Sequence, residues 1–136
     1  MLNRLAFALS AIVIAITLSA CSTQPPQVSF TPAPGNVSHV VVCYLKTPGD
    51  PAARQKLIEA SRQFKSIPGV LGVAVGQVLP STRPIVVSDY DVALVITAKD
   101  IAAINAYVAH PLHQKAVKEI LAPLTSKIVV YDFVNE

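Results

Sequence analysis

The sequence predicts an α+β domain in which helices pack on one face of a four-stranded antiparallel sheet. Three observations lead there. Four stretches are rich in β-branched residues and alternate in period two. Apolar residues between them recur at helical spacing. Pro-Gly, Asp-Pro and single-proline breaks stand where turns and helix starts need them. The resulting order, β-α-β-β-α-α-β, is a ferredoxin-like arrangement.

Val37 to Lys46 (VSHVVVCYLK), bounded by Pro34-Gly35 and Pro48-Gly49, reads as the first strand. His39, Val41, Cys43 and Leu45 share one face, and Val40, Val42 and Tyr44 the other. Both faces are apolar enough to be covered, so the strand is central or at an interface. Asp50-Pro51 supplies an N-cap and a first helical residue. The helix from Pro51 to Phe64 carries the stripe Ala53, Leu57, Ala60, Phe64 and Ile67, and Pro68-Gly69 ends it. Val70 to Leu79 is the second strand, with Gly72 and Gly76 as expected bulges or close approaches. Pro80 to Ser88 is a loop, and Asp89 to Thr97 the third strand. Ile101, Ile104, Tyr107 and Val108 then recur along a helix from Asp100 to Ala109. Pro111 restarts a helix with the stripe Leu112, Ala116, Val117, Ile120 and Leu121, which Pro123 stops. Lys127 to Val134 is the last strand.

The N-terminal region is expected to lie outside this domain. Residues 1–20 have the layout of a secretory signal: a basic start at Arg4, an apolar run from Leu5 to Leu18, and small residues before Cys21. The run is shorter than the roughly 20 residues that span a bilayer. Leu18-Ser19-Ala20-Cys21 resembles a bacterial lipobox, which makes Cys21 the lipidation site and first mature residue. Membrane attachment in the cell envelope follows. Ser22, in place of aspartate, favours the periplasmic face of the outer membrane if the host has two membranes. Residues 21–36 hold Pro25, Pro26, Pro32 and Pro34 and form an extended tether, with a reach of roughly 45 Å as polyproline II.

The remaining residues, 37–136, fit one domain. The chain has 11 Lys+Arg against 8 Asp+Glu, and without Arg4 the excess is too small and too scattered for a nucleic-acid surface. With Cys21 lipidated, Cys43 is the single free thiol, expected to pack as a small apolar residue. No glycine-rich phosphate loop, Gly-x-Ser-x-Gly or Cys-x-x-Cys occurs, so no cofactor is expected. No metal is expected either. His110 and His113 flank Pro111, whereas a ligand pair on one regular helix wants i, i+4 spacing.

Chemistry concentrates in Tyr107-Val108-Ala109-His110-Pro111-Leu112-His113. This stretch holds two of the chain's 3 histidines, and histidine titrates nearest neutrality. Asp132 alternates with Ile128 and Val130, which points its carboxylate into an apolar layer. A buried carboxylate needs a partner, and His39 and His113 are the candidates. The same residues also fit a structural reading. Tyr107 shares a helical face with Ile104 and could be core with its hydroxyl satisfied. His110 could bond a free carbonyl at a helix end. A His–Asp pair could be a clamp.

A first strand carrying His39, a third opening Asp89-Tyr90-Asp91, the helix motif Tyr107-x-x-His110-Pro111-x-His113 and a last strand ending Asp132-Phe133 resemble the stress-response A/B barrel domain (Dabb) family, over about Val37 to Phe133. The resemblance implies a dimeric α+β barrel. The enzymes of that family include plant polyketide cyclases that perform an aldol-type ring closure. Carried over, Tyr107 and His113 are the catalytic acid and base with Asp132 nearby, while His39 and His110 are ligand contacts. No histidine or tyrosine of the third strand, and no tyrosine of the first helix, reaches the pocket, which suits a small apolar or aromatic ligand. Val40, Val42, Tyr44, Val129, Tyr131 and Phe133 form a second apolar sheet face with no helix left to cover it. A homodimer is the expected cover.

Overall fold

The computed structural model describes residues 31–136. The signal segment, Cys21 and the first part of the tether lie outside the described residues. The fold is ferredoxin-like α+β. Strands β1 (Val37–Leu45), β2 (Val70–Gln77), β3 (Val92–Ala98) and β4 (Thr125–Val134) form one antiparallel sheet in the order β2-β3-β1-β4. Helix α1 (Pro51–Arg62) follows β1 and runs into a 3-10 turn, Gln63–Ser66. Helices α2 (Ile101–Ala109) and α3 (Pro111–Ala116) follow β3. A π-helical segment, Val117–Leu121, and a last short turn, α4 (Ala122–Leu124), complete the helical layer.

β1 is one of the two inner strands, paired on both sides, as its two apolar faces require. Val37, His39, Val41, Cys43 and Leu45 are buried under the helices, while Val40, Val42 and Tyr44 are half-buried on the opposite face. Cys43 is a free, fully buried thiol, and desolvation pushes its pKa up to about 11. It packs as an inert apolar group.

Local chemistry sets the helix starts. Asp50 accepts hydrogen bonds from the amides of Ala52 at 2.9 Å and Ala53 at 3.2 Å, and Pro51 needs no partner at the first position. Asp100 caps α2 through the amide of Ala103 at 2.8 Å. The α1 stripe is buried at Ala53, Leu57, Phe64 and Ile67 and half-buried at Ala60. In α2 the inward face is narrower than the spacing predicts. Ile104 and Tyr107 are buried, but Ile101 is 61 % exposed.

Several boundaries differ from the sequence reading. β3 begins at Val92 rather than Asp89, because Asp91 is buried for another purpose. Its carboxylate accepts from the amides of Leu45 at 2.8 Å and Gly49 at 2.6 Å, clamping the turn between β1 and α1. Of the two strand glycines, Gly72 adjoins a register shift in the β2–β3 pairing. Gly76 marks neither a bulge nor a close approach, since a Cβ there would meet nothing within 4 Å. Pro123 lies inside the last helical turn rather than after it. It has no N–H to offer the carbonyl of Glu119 and its ring crowds that carbonyl. The preceding turn is widened: the amide of Ala122 bonds to the carbonyl of Val117, five residues back. Thr125 then donates its hydroxyl to the carbonyl of Leu121 at 2.7 Å and opens β4 two residues earlier than expected.

Gly69 is required where it stands. Its φ is +85°, and a Cβ there would lie 2.8 Å from Cβ of Ala103 in α2. Gly69→Ala is therefore expected to destabilise the domain by about 1–3 kcal/mol in urea unfolding. Gly76→Ala should stay within about 0.5 kcal/mol of the parent.

Candidate functional site

A cavity of about 220 Å³ lies between the sheet and the helical layer. Its floor is His39 and Val41 of β1 with Leu94 of β3. Phe64, Tyr107 and His113 roof it, and Val117 and Leu121, the two ends of the π segment, close one side. Ile128 and Val130 of β4 form the remaining wall and are 38 % and 45 % exposed. The cavity therefore opens along the edge strand. Its volume lies below the roughly 300–1,000 Å³ of sites for drug-sized ligands, so a small ligand fits it.

Tyr107 stands between two imidazoles. Its ring centroid is 5.7 Å from that of His39 and 4.5 Å from that of His113, with Phe64 edge-on at 5.6 Å. Only 1 % of the residue is exposed. Burial pushes the phenol pKa well above its ordinary value, so it stays a neutral donor. Among the described residues its hydroxyl has no hydrogen-bond partner. It is also not sealed off, since Ser61 Oγ is the single fully buried side-chain polar atom there without one. The core reading of Tyr107 holds for its ring, but its hydroxyl is left for the cavity.

His113 is the third residue of α3. Its Nδ1 lies 3.0 Å from the carbonyl of Val108. A carbonyl only accepts, so Nδ1 carries the hydrogen and Nε2 keeps a lone pair. Burial lowers the His113 pKa, and repulsion from His39 adds to that, while the bond to Val108 opposes it. The net shift is downward, which makes the ring a neutral base at neutral pH.

His39 and Asp132 face each other across the β1–β4 ladder, and Asp132 Oδ1 lies 2.6 Å from His39 Nδ1. Of the two candidate partners for Asp132, His39 is the one it holds; the His113 ring is held by a carbonyl. The expectation that the Asp132 carboxylate is buried is corrected: its side chain is 57 % exposed, against 10 % for His39. It sits on the predicted face, but β4 is an edge strand that the helices only partly cover, so the carboxylate lies at the cavity rim.

His110 is not in the cavity lining. Its amide bonds the last free carbonyl of α2, that of Tyr107, but its ring bonds no helix-end carbonyl. It is the N-cap of α3, and its Nδ1 accepts from the amide of Leu112 at 3.2 Å. The structure thus brings His39, Tyr107 and His113 into the cavity lining, holds Asp132 beside it through His39, and sets His110 aside. Sequence reasoning missed Phe64, seen only as core, and the π segment. The signal for the latter was Pro123, three positions after Ile120 in an otherwise regular stripe. Among the described residues no three or more His, Cys, Asp or Glu side chains group as a metal site.

The lowered pKa of His113 makes stability depend on pH. The unfolded chain binds its proton near pH 6.5 and the folded chain at lower pH. As pH falls below about 6.5, the unfolded state takes up more protons than the native state, and stability is lost until both are protonated. Urea unfolding from pH 7 downward should show this loss, and His113→Gln should remove the part that His113 contributes.

No curated protein matches the sequence. Solved structures share the fold. A dimeric ferredoxin-like protein of unknown function from Thermobifida fusca has a TM-score of 0.64 at 22 % identity, covering 79 % of this chain and 97 % of its own. A Dabb family protein with a ferredoxin-like fold from Mesorhizobium loti has a TM-score of 0.61 at 26 % identity, covering 75 % and 98 %. A hydroxynitrile lyase from Passiflora edulis has a TM-score of 0.66 at 20 % identity, covering 76 % and 96 %. The family model for the stress responsive A/B barrel domain matches residues 37–135, and the chain belongs to that family.

Proposed function

We propose that this chain is a lipid-anchored envelope protein whose domain dimerises and binds a small apolar or aromatic molecule. The observation that carries the ligand reading is the cavity: apolar walls around a neutral donor, Tyr107, and a neutral acceptor, His113 Nε2. A ligand with an apolar body and one or two polar atoms matches that lining. A charged ligand would find no compensating charge except at the rim, near Asp132. A screen of small apolar and aromatic compounds by thermal shift tests the reading. A compound at 100 times its Kd should stabilise the domain by about 2.7 kcal/mol, and Tyr107→Phe should weaken binding of any hit that carries an acceptor. A broad screen without a shift would leave a purely structural dimeric module.

Acid–base catalysis is the second reading, favoured by the 4.5 Å packing of a protonated phenol against a neutral imidazole. The hydroxynitrile lyase among the similar structures is an enzyme of this fold. With a substrate in hand, Tyr107→Phe and His113→Ala should each lower turnover by roughly 10² to 10⁴ while the fold is retained. Fold and activity falling together would return the cluster to a structural clamp.

The homodimer rests on the open sheet face, where Tyr131 and Phe133 are 61 % and 51 % exposed beside Val40, Val42 and Val129. The similar structure from Thermobifida fusca is described as dimeric. Sedimentation of the domain from Val37 at micromolar concentration should give a dimer, and Val42→Asp should weaken it or cause aggregation. The anchor rests on Leu18-Ser19-Ala20-Cys21. Cys21→Ser should abolish incorporation of labelled palmitate and release the protein from the membrane fraction. Attachment at the periplasmic face of an outer membrane, where there is one, follows from Ser22.

A further inference from the structure

Pro111 has no N–H, so the carbonyl of Tyr107 takes the amide of His110 instead, at 3.1 Å. His110 is extended, with φ −66° and ψ 136°, as the ring of a following proline favours. The chain therefore leaves α2 at this residue. In an unbroken helix the amide of Leu112 would bond to the carbonyl of Val108. Here it bonds to His110 Nδ1 at 3.2 Å. The freed carbonyl of Val108 takes two side-chain donors from α3, Nδ1–H of His113 at 3.0 Å and the Nε2 amide of Gln114 at 2.6 Å.

The two histidines of the motif are thereby fixed as opposite tautomers. His110 accepts through Nδ1, so in the neutral ring its hydrogen is on Nε2. His113 donates through Nδ1, so its lone pair is on Nε2. We propose that His110 is a positioning residue: by capping α3 it holds His113 in the Nδ1–H form, with the Nε2 lone pair available to the cavity. α3 runs on into the π segment at Val117, so it is its N-terminal end, whose amides no preceding turn satisfies, that needs outside partners. Its first turn, which carries His113, is registered on α2 by the cap and by the two bonds to Val108. Loss of the cap orphans the amide of Leu112, loosens that turn, and leaves both tautomers open to the His113 ring.

The functional meaning of this lock rests on the ligand-binding reading above. The test uses the free protein, so an empty ligand screen and a failed lock are separate outcomes. The ¹⁵N-labelled full chain in detergent, at a pH where the imidazoles are neutral, should give opposite ring-nitrogen patterns. His113 should show a protonated Nδ1 and a bare Nε2, and His110 the reverse. In His110→Ala the two His113 nitrogens should move toward averaged shifts while the rest of the spectrum stays dispersed. His110→Asn, which restores a capping acceptor, should restore the parent pattern. A His113 that remains a single Nδ1–H tautomer in His110→Ala would overturn the proposal. So would a parent protein with the hydrogen on His110 Nδ1 or on His113 Nε2. If His110→Ala does not fold, the parent and His110→Asn spectra decide.

Discussion

The fold is built against one strand. Residues 37–45 alternate so that each face of β1 carries apolar side chains, and such a strand is stable only with neighbours on both edges and cover on both faces. It pairs with β3 on one edge and β4 on the other. Because side chains alternate with period two, this register fixes what enters the cavity. His39 stands on the helix face with Val41 and Cys43, opposite Asp132 on β4 and Ile96 on β3. A slip of one residue would turn His39 to the open face and Val40 into the core. The His39–Asp132 pair is thus a product of the same alternation that makes β1 an inner strand.

Desolvation then decides the chemistry of the cavity. It disfavours the charged form of every group it touches, raising the phenol of Tyr107 and lowering the imidazole of His113. Both end neutral, one as donor and one as acceptor, within an apolar lining. The negative charge of the cluster is kept at the rim on the mostly exposed carboxylate of Asp132. There water shares the cost that an unpaired buried carboxylate would impose. With the charge outside, the interior of the cavity keeps only neutral hydrogen-bonding groups.

The parts of this legible in the sequence were those set by period and by caps. Strand alternation gave the sheet faces, and Asp50-Pro51, Asp100 and Pro68-Gly69 gave the helix limits close to where they fall. The pairing of Asp132 with one of two histidines was also foreseen, but not which. That choice depends on strand register and on the path of α3, neither of which local pattern encodes. The exposure of Asp132 is not legible, because alternation assigns a face and says nothing about how far the helices extend over it. Proline's effect on the preceding residue marks His110 as the end of α2, which it is, but does not announce its second role. The same geometry also starts the next helix, and the acceptor it needed was the imidazole itself. Asp91 reads as a strand residue because its backbone neighbours are β-formers, while its carboxylate answers a requirement of the distant turn at Gly49.

The two sheet faces share the same strands. On β1 and β4, His39 and Asp132 alternate with Val40 and Tyr131 along the same backbones. The loop from Val78 to Asp91 extends the open face: Val87 and Tyr90 line a groove there with Val42, Tyr44, Val129 and Tyr131. Fully burying one large side chain is worth roughly 1.5–3 kcal/mol, so covering several of these rivals the 5–15 kcal/mol that holds a typical domain together. A cover on that face would bear on the edge strand β4, whose outer side pairs with no strand among the described residues and which forms the mouth of the cavity through Ile128 and Val130. One edge strand thus carries Asp132 and the mouth of the cavity on one face and the exposed Tyr131 and Phe133 on the other.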